Sequence, residues 1–234
     1  MEMKREERIV CLGVSRGLGR SFALALNKLD LEQNLEISYL FTSRKKVLLE
    51  DLKSQMNLKS AEILLIPADF SKKDQQLHLL QEIVQWNPTR VIYFAGGGPY
   101  GDFNKQSWSS HQWAFEVNFL FPSMILHSLL QDQNQADLKQ FILVGSSVAE
   151  SQSDPKASSY SAAKHALWGL YKTVIKENPQ IDLRLFSPPY METDMLPLHS
   201  EPRQSGKAWA PEKISSIMLE WIQDCNKTLD HYKF

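Results

Sequence analysis

The chain has 234 residues, with 26 Lys and Arg against 27 Asp and Glu and a net charge of −1. That length suits one domain with a well-buried core, and the charge balance gives neither nucleic acid nor an anionic membrane a reason to bind. The two cysteines, Cys11 and Cys225, show no disulfide or metal-ligand spacing, and the expected setting is a reducing cytoplasm.

The mixed-charge start, Met-Glu-Met-Lys-Arg-Glu-Glu-Arg, is unlike a signal peptide and runs straight into a strand pattern. Strands are predicted near 8–13, 35–42, 61–67, 89–95, 139–146 and 181–187. Helices are predicted near 18–29, 45–58, 72–86, 107–131, 157–177 and 211–224. Strands alternating with helices imply a parallel sheet covered on both faces. Ile63-Leu64-Leu65-Ile66 is apolar without alternation, as a strand buried on both sides should be. The expected fold is a single doubly wound α/β domain over 1–234.

The first strand, Ile9-Val10-Cys11-Leu12, leads into Gly13-Val14-Ser15-Arg16-Gly17-Leu18-Gly19 and an apolar-periodic helix. Strand, glycine loop and helix form a phosphate cradle. Gly13 permits the tight turn, Gly17 lets backbone approach a pyrophosphate, and Gly19 lets the helix pack closely on the sheet. The bland alternative is a plain turn.

At the end of the second strand, Phe41-Thr42-Ser43-Arg44 carries no acid to bind a ribose 2′-hydroxyl. Arg44 and Arg16 instead offer two guanidiniums for a 2′-phosphate, which points to NADP(H). The competing reading is two solvated surface arginines. Asp69 is either an adenine contact or the cap of the helix after Ser71.

The helix predicted over 107–131 contains Asn118, a poor choice for helix propensity alone, and Pro122. Its most apolar part, Phe115 to Leu130, is too short and polar to span a bilayer. Tyr160 and Lys164 lie four apart on the next helix and so share a face. An ammonium beside a phenol favours the phenolate, and such a tyrosine exchanges protons with a carbonyl or alcohol oxygen. Ser147, thirteen positions before Tyr160, is placed to hold the same substrate oxygen.

Segment 188–210 contains Pro188, Pro189, Pro197 and Pro202 with little periodicity. It follows the sixth strand, and ligands of open α/β sheets lie beyond the carboxyl ends of strands, so it is the expected lid. Trp209 and Tyr100 are the aromatics expected on the rim. The histidines at 78, 111, 127, 165, 199 and 231 show no metal spacing, and no strand pattern is visible in 225–234.

Taken together, these motifs resemble the short-chain dehydrogenase/reductase family over nearly the whole chain. The glycine loop is similar to that family's first motif, and Ser147, Tyr160 and Lys164 match its catalytic serine, tyrosine and lysine. The resemblance implies that Asn118 completes a catalytic tetrad and supports a proton relay, and that Lys164 also holds the nicotinamide ribose. It likewise implies cofactor contacts from Ala95-Gly96, from Asp69-Phe70, and from Pro188, Met191 and Thr193 in P-P-Y-M-E-T-D-M. Ser43 stands where the family's NAD enzymes carry Asp.

The implied activity is NADPH-dependent reduction of a carbonyl or oxidation of an alcohol. A catalytically silent NADP-binding or interaction protein of the same fold is the alternative. Leu12, Phe94 and Pro189 depart from the family's threonine, asparagine and glycine. The resemblance also implies a homodimer through the helices carrying Asn118 and Tyr160, here offering Phe115, Phe119, Leu126, Leu130, Trp168 and Tyr171. A tetramer is possible, although the family's closing strand is missing from the pattern.

Overall fold

A computed structural model describes residues 7–33, 35–57, 62–131, 137–147, 150, 155–224 and 230–234; Cys225 lies outside them. Strands β1 (Glu7–Leu12), β2 (Ile37–Ser43), β3 (Ile63–Pro67), β4 (Arg90–Tyr93), β5 (Gln140–Val144), β6 (Asp182–Ser187) and β7 (His231–Lys233) are all parallel. They form one sheet in the order β3-β2-β1-β4-β5-β6-β7. The direction of winding reverses between β1 and β4, the position where open α/β sheets form a crevice.

Alternate residues of β1 serve opposite cores. Ile9 and Cys11 face α1 (Gly17–Gln33), α2 (Lys46–Ser54) and the last helix, Pro211–Gln223, through Phe22, Leu49 and Met218. Val10 and Leu12 face α3 (Lys73–Trp86), Phe121–Leu129 and Ser158–Glu177 through Leu79, Phe121 and Leu167. Both sides of the strand are therefore fully buried, which is why it reads as an unbroken apolar run.

The helix expected over 107–131 is divided. It runs as α4 (Trp108–Phe115), a π-helical turn at Glu116–Leu120, and α5 (Phe121–Leu129). Pro122 has no N–H and its ring crowds the carbonyl four residues back, that of Asn118. The chain widens there, so that Phe121 N–H bonds to Glu116 O. Asn118, with its neighbour Val117, is buried inside that widened turn.

Beyond α5 come α6 (Ser158–Glu177), the short α7 (Glu201–Gln204) within the 188–210 segment, and α8 (Pro211–Gln223). The missing closing strand is a correction, because β7 pairs with β6 through Leu185–His231 and Phe186–Tyr232. Aromatic packing supplies what a three-residue strand cannot signal by alternation: Tyr232 and Phe234 lie 5.5 and 5.8 Å from Phe186. The apolar face expected for dimerisation also needs correction. Leu126 and Tyr171 belong to the core, and among the described residues Trp108, Phe115 and Leu120 are large hydrophobics left exposed on α4 and the π-turn.

Candidate active site

A cleft of about 460 Å³ opens at the carboxyl ends of β1 and β4. Gly13, Ser15, Arg16, Gly17, Leu18 and Gly19 line its first edge. Gly13 has φ +95°, and a Cβ there would sit 2.7 Å from Ala95 N. Gly17 has φ +52°, with Thr193 Cγ2 3.0 Å from where its Cβ would be. A Cβ on Gly19 would overlap the Gly13 carbonyl oxygen. The loop thus keeps bare backbone against the cleft, which suits a pyrophosphate.

Phe94 packs on Phe22 with ring centroids 5.2 Å apart and abuts Gly19. Leu12 is fully buried in the core. These two departures replace polar supports by apolar filling.

The two arginines have different surroundings. Arg44 lines the cleft with Asp69, and its guanidinium carbon is 6.0 Å from the Trp113 ring centroid. Arg16 Nη1 instead reaches Asp194 Oδ2 at 2.6 Å, tying the glycine loop to the 188–210 segment. Asp69 Oδ1 accepts from Ser71 N–H (3.0 Å) and Ser71 Oγ (2.8 Å), forming the turn before α3. Burial pushes the Asp69 carboxyl up, but these bonds and the nearby Arg44 and Lys72 charges hold it below its ordinary range. The cap reading of Asp69 needs correction: it closes this turn and lines the cleft, while the N-cap residue of α3 is Lys72, with no side-chain cap bond.

Phe70, Ala95, Gly96, Pro188, Met191 and Thr193 also line the cleft. Met191 bridges to Trp209, and Trp209 packs against Phe234, 5.6 Å between centroids. Trp209 is thus part of the scaffold behind the segment, not its rim. Trp113 and Val117 also line the cleft. Trp113 comes from α4, one turn before Asn118, and Val117 is the residue next to Asn118 in the π-turn.

At the inner end of the cleft, four elements converge. Asn118 Nδ2 donates to Gly97 O (2.5 Å) and Ala114 O (2.6 Å), and its Oδ1 accepts from Gly97 N–H (3.2 Å). A Cβ on Gly96 would fall 2.9 Å from Asn118 Oδ1 and 3.5 Å from Lys164 Nζ. Lys164 Nζ, fully enclosed, donates to Val144 O at the end of β5 (2.7 Å) and lies 5.8 Å from the Tyr160 ring centroid. Ser147 N–H and Oγ both donate to Pro188 O, at 3.0 and 3.1 Å. Ser146, the residue before Ser147, offers the Tyr160 phenol a hydrogen bond.

The charge states also differ from expectation. Burial pushes the Tyr160 phenol up, the Ser146 bond opposes this, and the Glu150 charge adds to it. Burial takes Lys164 down from 10.5 to about 7, with Glu150 pulling the other way. Desolvation outweighs pairing here, so Tyr160 is kept as a neutral acid and is not drawn toward phenolate.

Residues 7–204 match the family model for short chain dehydrogenase. The chain belongs to the short-chain dehydrogenase/reductase family, and its Rossmann-type α/β fold is the one that family shares. It is 25% identical over 181 residues to a 7beta-hydroxysteroid dehydrogenase from Clostridium sardiniense, covering 76% of this chain and 67% of that protein. Among solved structures it resembles an alcohol dehydrogenase of the archaeon Thermococcus sibiricus complexed with 5-hydroxy-NADP. There the TM-score is 0.81 and the identity 20%, covering 98% and 95% of the two chains. A 4-hydroxyisoleucine dehydrogenase complexed with NADH is similarly close, at TM-score 0.80 and 18% identity, covering 97% and 96%.

Proposed function

We propose that this oxidoreductase reduces a ketone or aldehyde with NADPH, or runs the reverse oxidation of an alcohol. The observation that carries this reading is the convergence of Tyr160, Lys164, the Ser146–Ser147 turn and Asn118 at the inner end of a cleft whose other end is a glycine cradle.

The cradle fits a dinucleotide, because Cβ atoms at Gly13, Gly17 and Gly96 would intrude on it or on its walls. The glycine loop would hold the pyrophosphate, Arg44 the adenosine end with its 2′-phosphate, and Lys164 the nicotinamide ribose. When bound, the cofactor supplies or accepts the hydride.

Tyr160, protonated in its buried setting, donates its proton to the carbonyl oxygen as charge develops there. The Ser146–Ser147 turn orients that oxygen. Ser147 has the family's position and Ser146 has the contact with Tyr160, so both belong to the proposal. Lys164 borders the phenol and restores its proton, and Asn118 keeps the Gly97 backbone and the Lys164 surroundings in register.

NADPH preference rests on Arg44 and the absence of an acid at Ser43. The solved relatives include one complexed with a derivative of NADP and one complexed with NADH, so the choice is made by this chain's own residues. A homodimer through the Phe115 and Leu120 surface and a cytoplasmic setting complete the reading. Light scattering that shows only monomer at micromolar concentration would remove the dimer.

The deciding experiment follows NADPH oxidation by near-ultraviolet absorbance over a panel of ketones, diketones, quinones and aldehydes. Turnover of at least one class is expected. Tight NADPH binding with none turned over would favour the silent binding protein.

A further inference from the structure

Behind the catalytic side chains lies a second buried polar cluster that the proposed reaction does not use. Glu150 is one turn beyond Ser146, and its N–H donates to Ser146 O at 3.1 Å. Its carboxylate is only 1% exposed and folds back over Gly145. A Cβ on Gly145 would stand 2.8 Å from Glu150 Oε1 and 2.6 Å from Ser187 Oγ. The glycine is what admits the carboxylate.

Oε1 accepts from Ser187 Oγ at 2.5 Å and faces Ser146 N–H at 3.5 Å. Ser187 Oγ in turn lies 2.9 Å from His231 Nε2. With the hydroxyl donating to Glu150, His231 Nε2–H donates to the hydroxyl. Among the described residues Oε2 has no aligned donor, but His231 Nε2 is 3.2 Å away and Lys233 Nζ 3.9 Å away.

A carboxylate this buried is costly unless paired and hydrogen-bonded. Burial pushes the Glu150 carboxyl up, yet its His231 and Ser187 partners hold it below the ordinary range. Among the described residues, the titratable groups around it are Tyr160 and Lys164 from α6 and His231 and Lys233 from β7, with the Tyr171 ring 6.0 Å from that of His231.

We propose that Glu150 is a positioning residue: clamped by Ser187 and His231, it fixes the Ser146 turn against Tyr160 and couples the C-terminal strand to the catalytic corner. This deepens the reductase reading and rests on it. The charge reaches the same pair, raising both Tyr160 and Lys164. The short strand β7 thereby acquires a task beyond closing the sheet, since it carries the imidazole that, through Ser187, keeps Glu150 in place.

Glu150→Gln keeps the side-chain shape and removes the charge. In the carbonyl assay kcat is expected to fall about 10- to 100-fold, the range for displaced catalytic groups. NADPH affinity by fluorescence titration should hold, because Glu150 is not among the residues lining the cleft. A second readout needs no substrate: the Lys164 titration, followed by NMR with isotope-labelled lysine and assigned through Lys164→Met. It is expected to move to lower pH in Glu150→Gln.

His231→Gln, which releases the clamp from the far side, should move both readouts in the same direction and serves if Glu150→Gln does not fold. An unmoved Lys164 titration overturns the proposal, as does lowered thermal stability with kcat and Lys164 both unchanged. If the wild-type protein turns over no carbonyl while Lys164 still shifts, the reductase reading fails and the hold of Glu150 on the catalytic pair stands.

Discussion

The glycine loop and the catalytic corner are two ends of one cleft, yet they are built in opposite ways. The loop is made within seven residues, and its shape follows from which positions can adopt positive φ and tolerate backbone contact. The corner draws on the end of β5, the π-turn, α6 and the end of β6, joined by Lys164–Val144, Asn118–Gly97 and Ser147–Pro188 bonds. A locally built site is fixed by steric exclusion. An assembled site is fixed by burial, which also decides its charges.

The sharpest break of this comparison is at the corner. Tyr160→Phe removes one hydroxyl and should lower kcat about 10²- to 10⁴-fold, with NADPH affinity little changed, as steady-state kinetics and binding titration would show. Full activity would separate the corner from the chemistry.

Next comes the charge state of Lys164. Its folded value, about 7, lies below its ordinary 10.5. Between these values the unfolded chain binds more protons than the folded one, so stability rises with pH across that window. The slope is at most about 1.4 kcal/mol per pH unit, and about 5 kcal/mol in total, as an upper bound. Urea unfolding of wild type and Lys164→Met should show the rise only in wild type in the lower part of that window, because above the ordinary thiol value of 9.0 burial of Cys11, which pushes its thiol up, works in the opposite direction. Lys164→Met should be the more stable protein near neutral pH.

At the adenosine end, Arg44→Ala should weaken NADPH binding by roughly 1.5–3 kcal/mol, the range for hydrogen bonds to charged groups. NADH binding should barely move. Equal wild-type affinity for the two cofactors, measured by titration, would make Arg44 a surface charge.

Gly13→Ala tests the locally built end. Placing a side chain at this positive φ costs roughly 1–3 kcal/mol, and the Ala95 backbone cannot yield easily, so both unfolding free energy and NADPH affinity should fall. The smallest effect is expected where the two regions meet. Arg16 and Asp194 are half or more exposed, and such pairs contribute about 0.2–1 kcal/mol. Asp194→Ala should therefore change stability by no more than that. Arg16→Ala should weaken NADPH less than Arg44→Ala does.

What the sequence by itself determined was whatever depends on local sterics and period. The apolar run of β1 announced a buried strand, Gly13 and Gly17 announced the cradle, and the Tyr160–Lys164 spacing announced a shared helical face. Pro122 marked an irregular helix around Asn118, although not the π-turn it became. Only the tertiary structure decided the rest. Ser146, one residue before Ser147, meets Tyr160 because the bonds of the Ser147 N–H and Oγ to Pro188 set the turn. Arg16 is claimed by Asp194, 178 positions away. Strand β7 exists because its aromatic rings find Phe186. Burial lowers the pKa of Lys164 and raises that of Tyr160 because the fold strips water from both, and desolvation depends on the whole packed surrounding that no spacing of residues records.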